Sequence, residues 1–100
     1  MRDIRYVVVH APGPRWKAGV PLFEQEGLQA HIEHYRALLA QGKLEMGGPF
    51  LDEHAGGMMI AAAGLARSDI EAMAQADPAV VSGLLRVAVR EWLVGMKSQS

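Results

Sequence analysis

The fifteen residues LQAHIEHYRALLAQG, Leu28 to Gly42, repeat apolar side chains at helical spacing. At about 100° per residue, Leu28, Ile32, Tyr35, Leu38, Leu39 and Gly42 share one arc. Glu33, Arg36, Ala37, Ala40 and Gln41 take the opposite side. A helix built this way must bury one face. His31 falls between Leu38 and Gly42, at one margin of the apolar arc, and His34 lies beyond that margin, toward water. An ionisable ring at the rim of a buried face is either a satisfied core histidine or part of a pocket lining.

Ile4 to Val9 is a run of β-branched and aromatic residues that ends at His10 and stops at Ala11-Pro12-Gly13-Pro14. After Arg5 both alternation sets are apolar, so this strand calls for cover on both faces. His10 shares the face of Tyr6 and Val8. Residues 12–22 form a proline-rich loop whose Trp16 must bury its ring, either against the domain edge or as a lid over a site. The helix is expected from about Phe23 to Gln41, with a looser turn before Gly27 and Gly42 as its left-handed cap.

Lys43–Leu51 and Met58–Ala63 read as strands joined by the hairpin-type loop at 52–57. Gly47-Gly48-Pro49 is out of keeping with a central strand and marks a bulge or a close approach. Ser68 and Glu71 have capping-box spacing for a helix reaching about Gln75. Asp77-Pro78 opens a further short helix, with Asp as N-cap and Gly83 as its limit. Leu84–Val94 alternates as the last strand, and 97–100 are expected to fray.

The order β-α-β-β-α-β with a short extra helix is the ferredoxin-like, split βαβ arrangement of an α+β domain. A single domain spanning 1–100 suits the length. Two helices cover only one face of a four-stranded sheet. With 50% hydrophobic and 21% charged residues, the chain carries more apolar surface than one small core can hide. A homodimer through the sheet faces, closing a dimeric α/β-barrel, is the expected remedy. A net charge of −1 without any basic run excludes electrostatic attraction to nucleic acid or anionic membrane. No stretch has the length of a membrane span and the N-terminus lacks a signal-peptide pattern, so a cytoplasmic protein is expected.

Chemistry is limited by what is missing. Without Cys there is neither thiolate metal site nor cysteine nucleophile, and the four serines lack a nucleophile-elbow setting. The glycine pairs match no phosphate or dinucleotide loop. His31 and His34 are close enough on a helix to share an ion, but no recognised ligand spacing completes a site. His34 and His54 read as solvated surface residues. Acid–base work by histidine remains, and it needs a carboxylate to fix the ring's tautomer. Asp77 is a candidate partner, although an Asp before Pro is equally explained as a helix cap.

The pieces YVVVH, HIEHYRALLAQGKLEMGGPFLD, GGMMIAAAG, ADPAVVSGLL and RVAVREW, in this order, make the chain resemble the YCII-related domain family. The likeness runs over nearly all of it. It implies a ferredoxin-like fold, dimerisation through the sheets, and a site centred on a His and an Asp. The family histidine corresponds to His31, seventeen positions before Gly48, and the family aspartate to Asp77. The chain departs from the family pattern in the long loop carrying Arg15, Trp16 and Lys17, and in Met58-Met59, where many relatives have Gly-Ser.

On this reading His31 and Asp77 are the catalytic pair of a lyase- or isomerase-like enzyme acting on a small cyclic or aromatic metabolite. Gly48 and Pro49 would wall the substrate, with Trp16 as lid and His10 completing the binding set. No cofactor and no metal is called for. The alternative is a non-catalytic ligand-binding or dimerisation module on the same frame.

Overall fold

The structure is a computed structural model, which describes residues 2–98. The elements are β1 (Ile4–Pro12), α1 (Leu28–Ala40), β2 (Leu44–Pro49), β3 (Gly57–Ala61), α2 (Arg67–Gln75), α3 (Pro78–Ser82) and β4 (Leu85–Leu93). A single 3-10 turn at Leu22–Glu24 precedes α1. The strands form one antiparallel sheet in the order β2-β3-β1-β4. This mixed α+β architecture is consistent with the ferredoxin-like expectation.

β1 is one of the two inner strands, pairing with β3 on one side and β4 on the other. It continues past His10, its expected end, to Pro12, because β4 pairs with it along its whole length, from Ile4↔Leu93 to Pro12↔Leu85. Proline is tolerated at that last position, where the ladder is running out. Tyr6, Val8 and His10 face the helices with Met59 and Ala61 of β3. Val7 and Val9 face the other way with Met58 and Ile60. The helices cover only the first of these faces.

Gly56 and Gly57, at the β3 end of the β2–β3 hairpin, are explained by the close approach of neighbouring backbone. β2 pairs only with β3, and its register slips between Leu44 and Met46, leaving Glu45 as a bulge. A Cβ on Gly57 would sit 2.6 Å from the Gly48 carbonyl oxygen. Gly56 has φ 133°, and a Cβ there would run into the His10 carbonyl.

The long helix expected from Phe23 is two pieces. Gly27, at φ 94°, separates the 3-10 turn from α1. The buried Gln25 holds the preceding loop by accepting from the Lys17 amide and donating to the Lys17 and Val20 carbonyls. At the other end Gly42 N–H donates to Leu39 and Lys43 N–H to Leu38, closing α1 with the left-handed glycine that the sequence predicts. The expected capping box at Ser68 does not form. Ala66 is the N-cap of α2, and Glu71 instead accepts from Arg67 at 2.9 Å, an i,i+4 pair inside the helix.

Two apolar clusters fill the layer between sheet and helices. One gathers Val8, Tyr35, Met59, Ala61, Ile70 and Ala74; the other gathers Leu28, Ala79, Leu84 and Leu85. α1 contributes to both, which sets the scene for what lies between them. Of the tail expected to fray, 99–100 lie outside the described residues, while 97 and 98 have no regular structure. Among the described residues no helix is long and apolar enough to cross a membrane.

Candidate active site

The site begins at the Asp77-Pro78 turn. Asp77 is completely buried, at 0% exposure, and its two oxygens have different partners. Oδ1 accepts from the Ala79 amide at 3.0 Å and so caps α3. Oδ2 lies 2.6 Å from Nδ1 of His31 on α1. Burial alone would raise the Asp77 carboxyl. The hydrogen bonds from His31 and Ala79 outweigh it and hold the group below its ordinary value. An ionised carboxylate can only accept, so His31 Nδ1–H is the donor.

That bond decides what the other ring nitrogen can do. Among the described residues His31 Nε2 has no hydrogen-bond partner, and His31 lines a cavity of about 460 Å3. His31 is 9% exposed and belongs to the buried line Leu28–His31–Tyr35 rather than to its margin. The wheel centres the apolar arc near Tyr35, and the buried residues lie around that centre. Ile32 and Leu39, toward the other margin of the arc, line the cavity, and Leu39 is half exposed.

Beneath His31 lies a second histidine. His10, 2% exposed, stands edge-on to it with ring centroids 4.9 Å apart. Its Nε2 is 2.9 Å from the Tyr35 hydroxyl, and its Nδ1 is buried with no hydrogen-bond partner. Burial pushes the His10 ring down from 6.5 to about 4, and His31 adds to the push, so the ring is neutral near pH 7. The Arg86 carbonyl pulls weakly the other way without closing a bond to Nδ1. The donor in the His10–Tyr35 pair follows the His10 tautomer: with the ring proton on Nε2, the Tyr35 oxygen accepts and its own O–H proton is free for a ligand. Burial, with Asp77 nearby, raises the Tyr35 hydroxyl well above its ordinary value and keeps it protonated.

The cavity opens where the two apolar clusters meet. Leu28, Ile32, Leu85 and Met59 form much of its wall, and Gly48 and Pro49 of β2 close one side. Gly48 lines it by backbone alone, for a Cβ there would meet nothing within 4 Å. His10, His31, Gly48 and Pro49 therefore line the same cavity. Trp16 does not. It packs against the Leu28–Leu84 cluster and lines a separate hollow with Phe50, because the loop carrying it is tied to Gly83 and Leu84. His54 is exposed, as expected. His34 is not a solvated residue: it is half buried and donates from Nε2 to the Met73 carbonyl at 2.8 Å, tying α1 to α2.

Sequence reasoning missed Tyr35 as a site residue because it sits in the apolar stripe. Its i,i+4 spacing from His31 was the available signal. His10, His31 and Asp77 also lie close enough to surround a metal ion. At 2.6 Å, however, the His31–Asp77 pair is closed as a hydrogen bond, and an ion between them would have to displace that proton.

An α+β sheet domain whose helix-covered face holds a carboxylate-bound histidine at a small cavity defines the class of protein. A family profile for the YCII-related domain matches residues 5–93, and the chain belongs to that family. It is also similar to the uncharacterized protein YjpA of Bacillus subtilis (strain 168), with 36% identity over 70 residues, covering 70% of this chain and 80% of the relative.

Proposed function

We propose that the protein is a small acid–base enzyme of the lyase or isomerase type, acting on a small cyclic or aromatic metabolite. The observation that carries this reading is the buried Asp77 carboxyl 2.6 Å from His31 Nδ1, with His31 on the wall of a cavity. His31 Nε2 takes a proton from an acidic ring C–H. The electron pair left behind moves onto a substrate oxygen, where the Tyr35 hydroxyl donates to the developing charge. Asp77 stabilises the imidazolium that results, and the proton returns at another atom or a leaving group departs. His10 positions Tyr35, and Gly48 and Pro49 bound the ring. No cofactor is needed for such a step.

The proposal includes a homodimer through the outer sheet face, where Val7, Val9, Met58 and Ile60 lie half buried and Met46 is 58% exposed. A second reading keeps the same frame as a non-catalytic binding module. It is favoured by the cap that Asp77 supplies to α3, which already explains that residue.

The deciding experiment follows deuterium uptake from solvent into a panel of ring enols, phenols and lactones by proton NMR. Catalysed exchange that disappears in His31→Gln supports the enzyme. Compounds that bind at the cavity without exchange support the binding module.

A further inference from the structure

The mouth of the cavity carries a charge that proton transfer does not use. Arg36, on α1, lines the cavity, is exposed, and has no ion-pair partner among the described residues. Glu45 also lines it, but its carboxylate is held by Arg5, which Asp3 binds as well. Among the described residues that line the cavity, Arg36 is the charged side chain without an ion-pair partner, and it is positive. At about 1.5 Å and 100° per residue, Arg36 lies about 7.5 Å along the helix and about 140° around it from His31, with Ile32 and Leu39 on the arc between them. The wall beside that interval is apolar, formed by Ile32, Leu39 and Met59.

We propose that the cavity selects a ring-bearing carboxylic acid. The ring lies along Ile32 and Leu39, the carboxylate pairs with the forked Arg36 guanidinium, and the opposite edge meets His31 and Tyr35. Neutral molecules of the same shape lack the pairing and bind more weakly. The orientation toward His31 rests on the proposed acid–base reading, whereas the preference for an acid is read by binding alone.

The test titrates benzoate and benzamide, matched in shape and different in charge, into the 15N-labelled full chain, following the amides of His31 and Tyr35. Benzoate is expected to bind about tenfold more tightly than benzamide, with a preference that shrinks as salt rises. Arg36→Gln, on an exposed helix position, should abolish the preference while leaving benzamide binding unchanged, and Arg36→Lys should keep part of it. Equal binding of the two probes, a preference that survives Arg36→Gln, or no binding of either would overturn the proposal. A preference that depends on Arg36, found alongside absent proton exchange, would leave acid selectivity standing and retire only the catalytic reading.

Discussion

His31 Nδ1 and Asp77 Oδ2 meet at 2.6 Å inside the protein, across the gap between α1 and the start of α3. The same carboxylate caps α3 through its other oxygen. One buried charge therefore sets both where a helix begins and which nitrogen of a neighbouring ring carries a proton. Capping and ring positioning are not rival explanations of Asp77, since each oxygen serves one of them.

Removing either partner should reveal this double duty. His31→Ala leaves Oδ2 buried without a donor and is expected to cost about 2–4 kcal/mol. In Asp77→Asn a single carbonyl oxygen faces two donors, so cap or ring is lost, at about 1–2 kcal/mol. The double variant should recover at least about 1 kcal/mol relative to the sum. Urea unfolding of the four proteins measures this, and additive losses would mean that the pair is not coupled.

The two site histidines should also differ in tautomer. Asp77 holds the proton of His31 on Nδ1, while the unpartnered Nδ1 of His10 leaves its proton on Nε2 beside Tyr35. Long-range 1H–15N spectra near pH 7 distinguish the two patterns directly. Identical tautomers on both rings would remove the free Tyr35 proton from the proposed chemistry. Asp77→Asn should disturb the pattern of His31 and leave that of His10 in place.

Much of this frame was legible in the sequence because it rests on local rules. The apolar run of β1, the glycine cap of α1 and the Asp-Pro opening of α3 each carry their own backbone logic. The likeness to the YCII-related family singled out the His31–Asp77 pair. What escaped depends on contacts across the fold. Tyr35 looks like any core aromatic until β1 brings His10 against it, forty-six residues separate His31 from Asp77, and Trp16 follows a loop anchored by Gln25. Ser68 and Glu71 show the converse, a local signature overruled when Leu65 packs into the core and α2 starts earlier.

Acid should weaken the fold in two stages. In the unfolded chain His10 takes up a proton near 6.5, whereas in the folded protein it does so only at about 4. Between those values the unfolded state binds more protons, so stability falls as pH drops, by on the order of 3 kcal/mol in all. Asp77 acts lower down. Its depressed carboxyl contributes fully above the ordinary value of 3.8, and that contribution is lost as pH falls further. Urea midpoints between pH 7 and pH 4 measure the first stage. His10→Gln, which keeps a polar partner for Tyr35, should flatten that slope, and an unchanged slope would assign it elsewhere.

The outer sheet face poses a different problem from the helix-covered one. Val7, Val9, Met58 and Ile60 form a continuous apolar strip across β1 and β3, extended by Met46 on β2 and by Trp92, 42% exposed, on β4. A strip of this kind on so small a domain is costly to leave in water. Its exposed neighbours Arg86 and Arg90 on β4 provide a charged rim of the sort found around interfaces. A second copy placed sheet to sheet buries the strip on both sides at once, since an isologous contact repeats each residue. Sedimentation equilibrium should therefore give about twice the chain mass of 10.8 kDa at micromolar concentration. Ile60→Glu, which places a charge at the centre of the strip, should return the particle to a single chain while the far-ultraviolet circular dichroism is kept. A wild-type protein that sediments at 10.8 kDa throughout would show that the strip has another occupant.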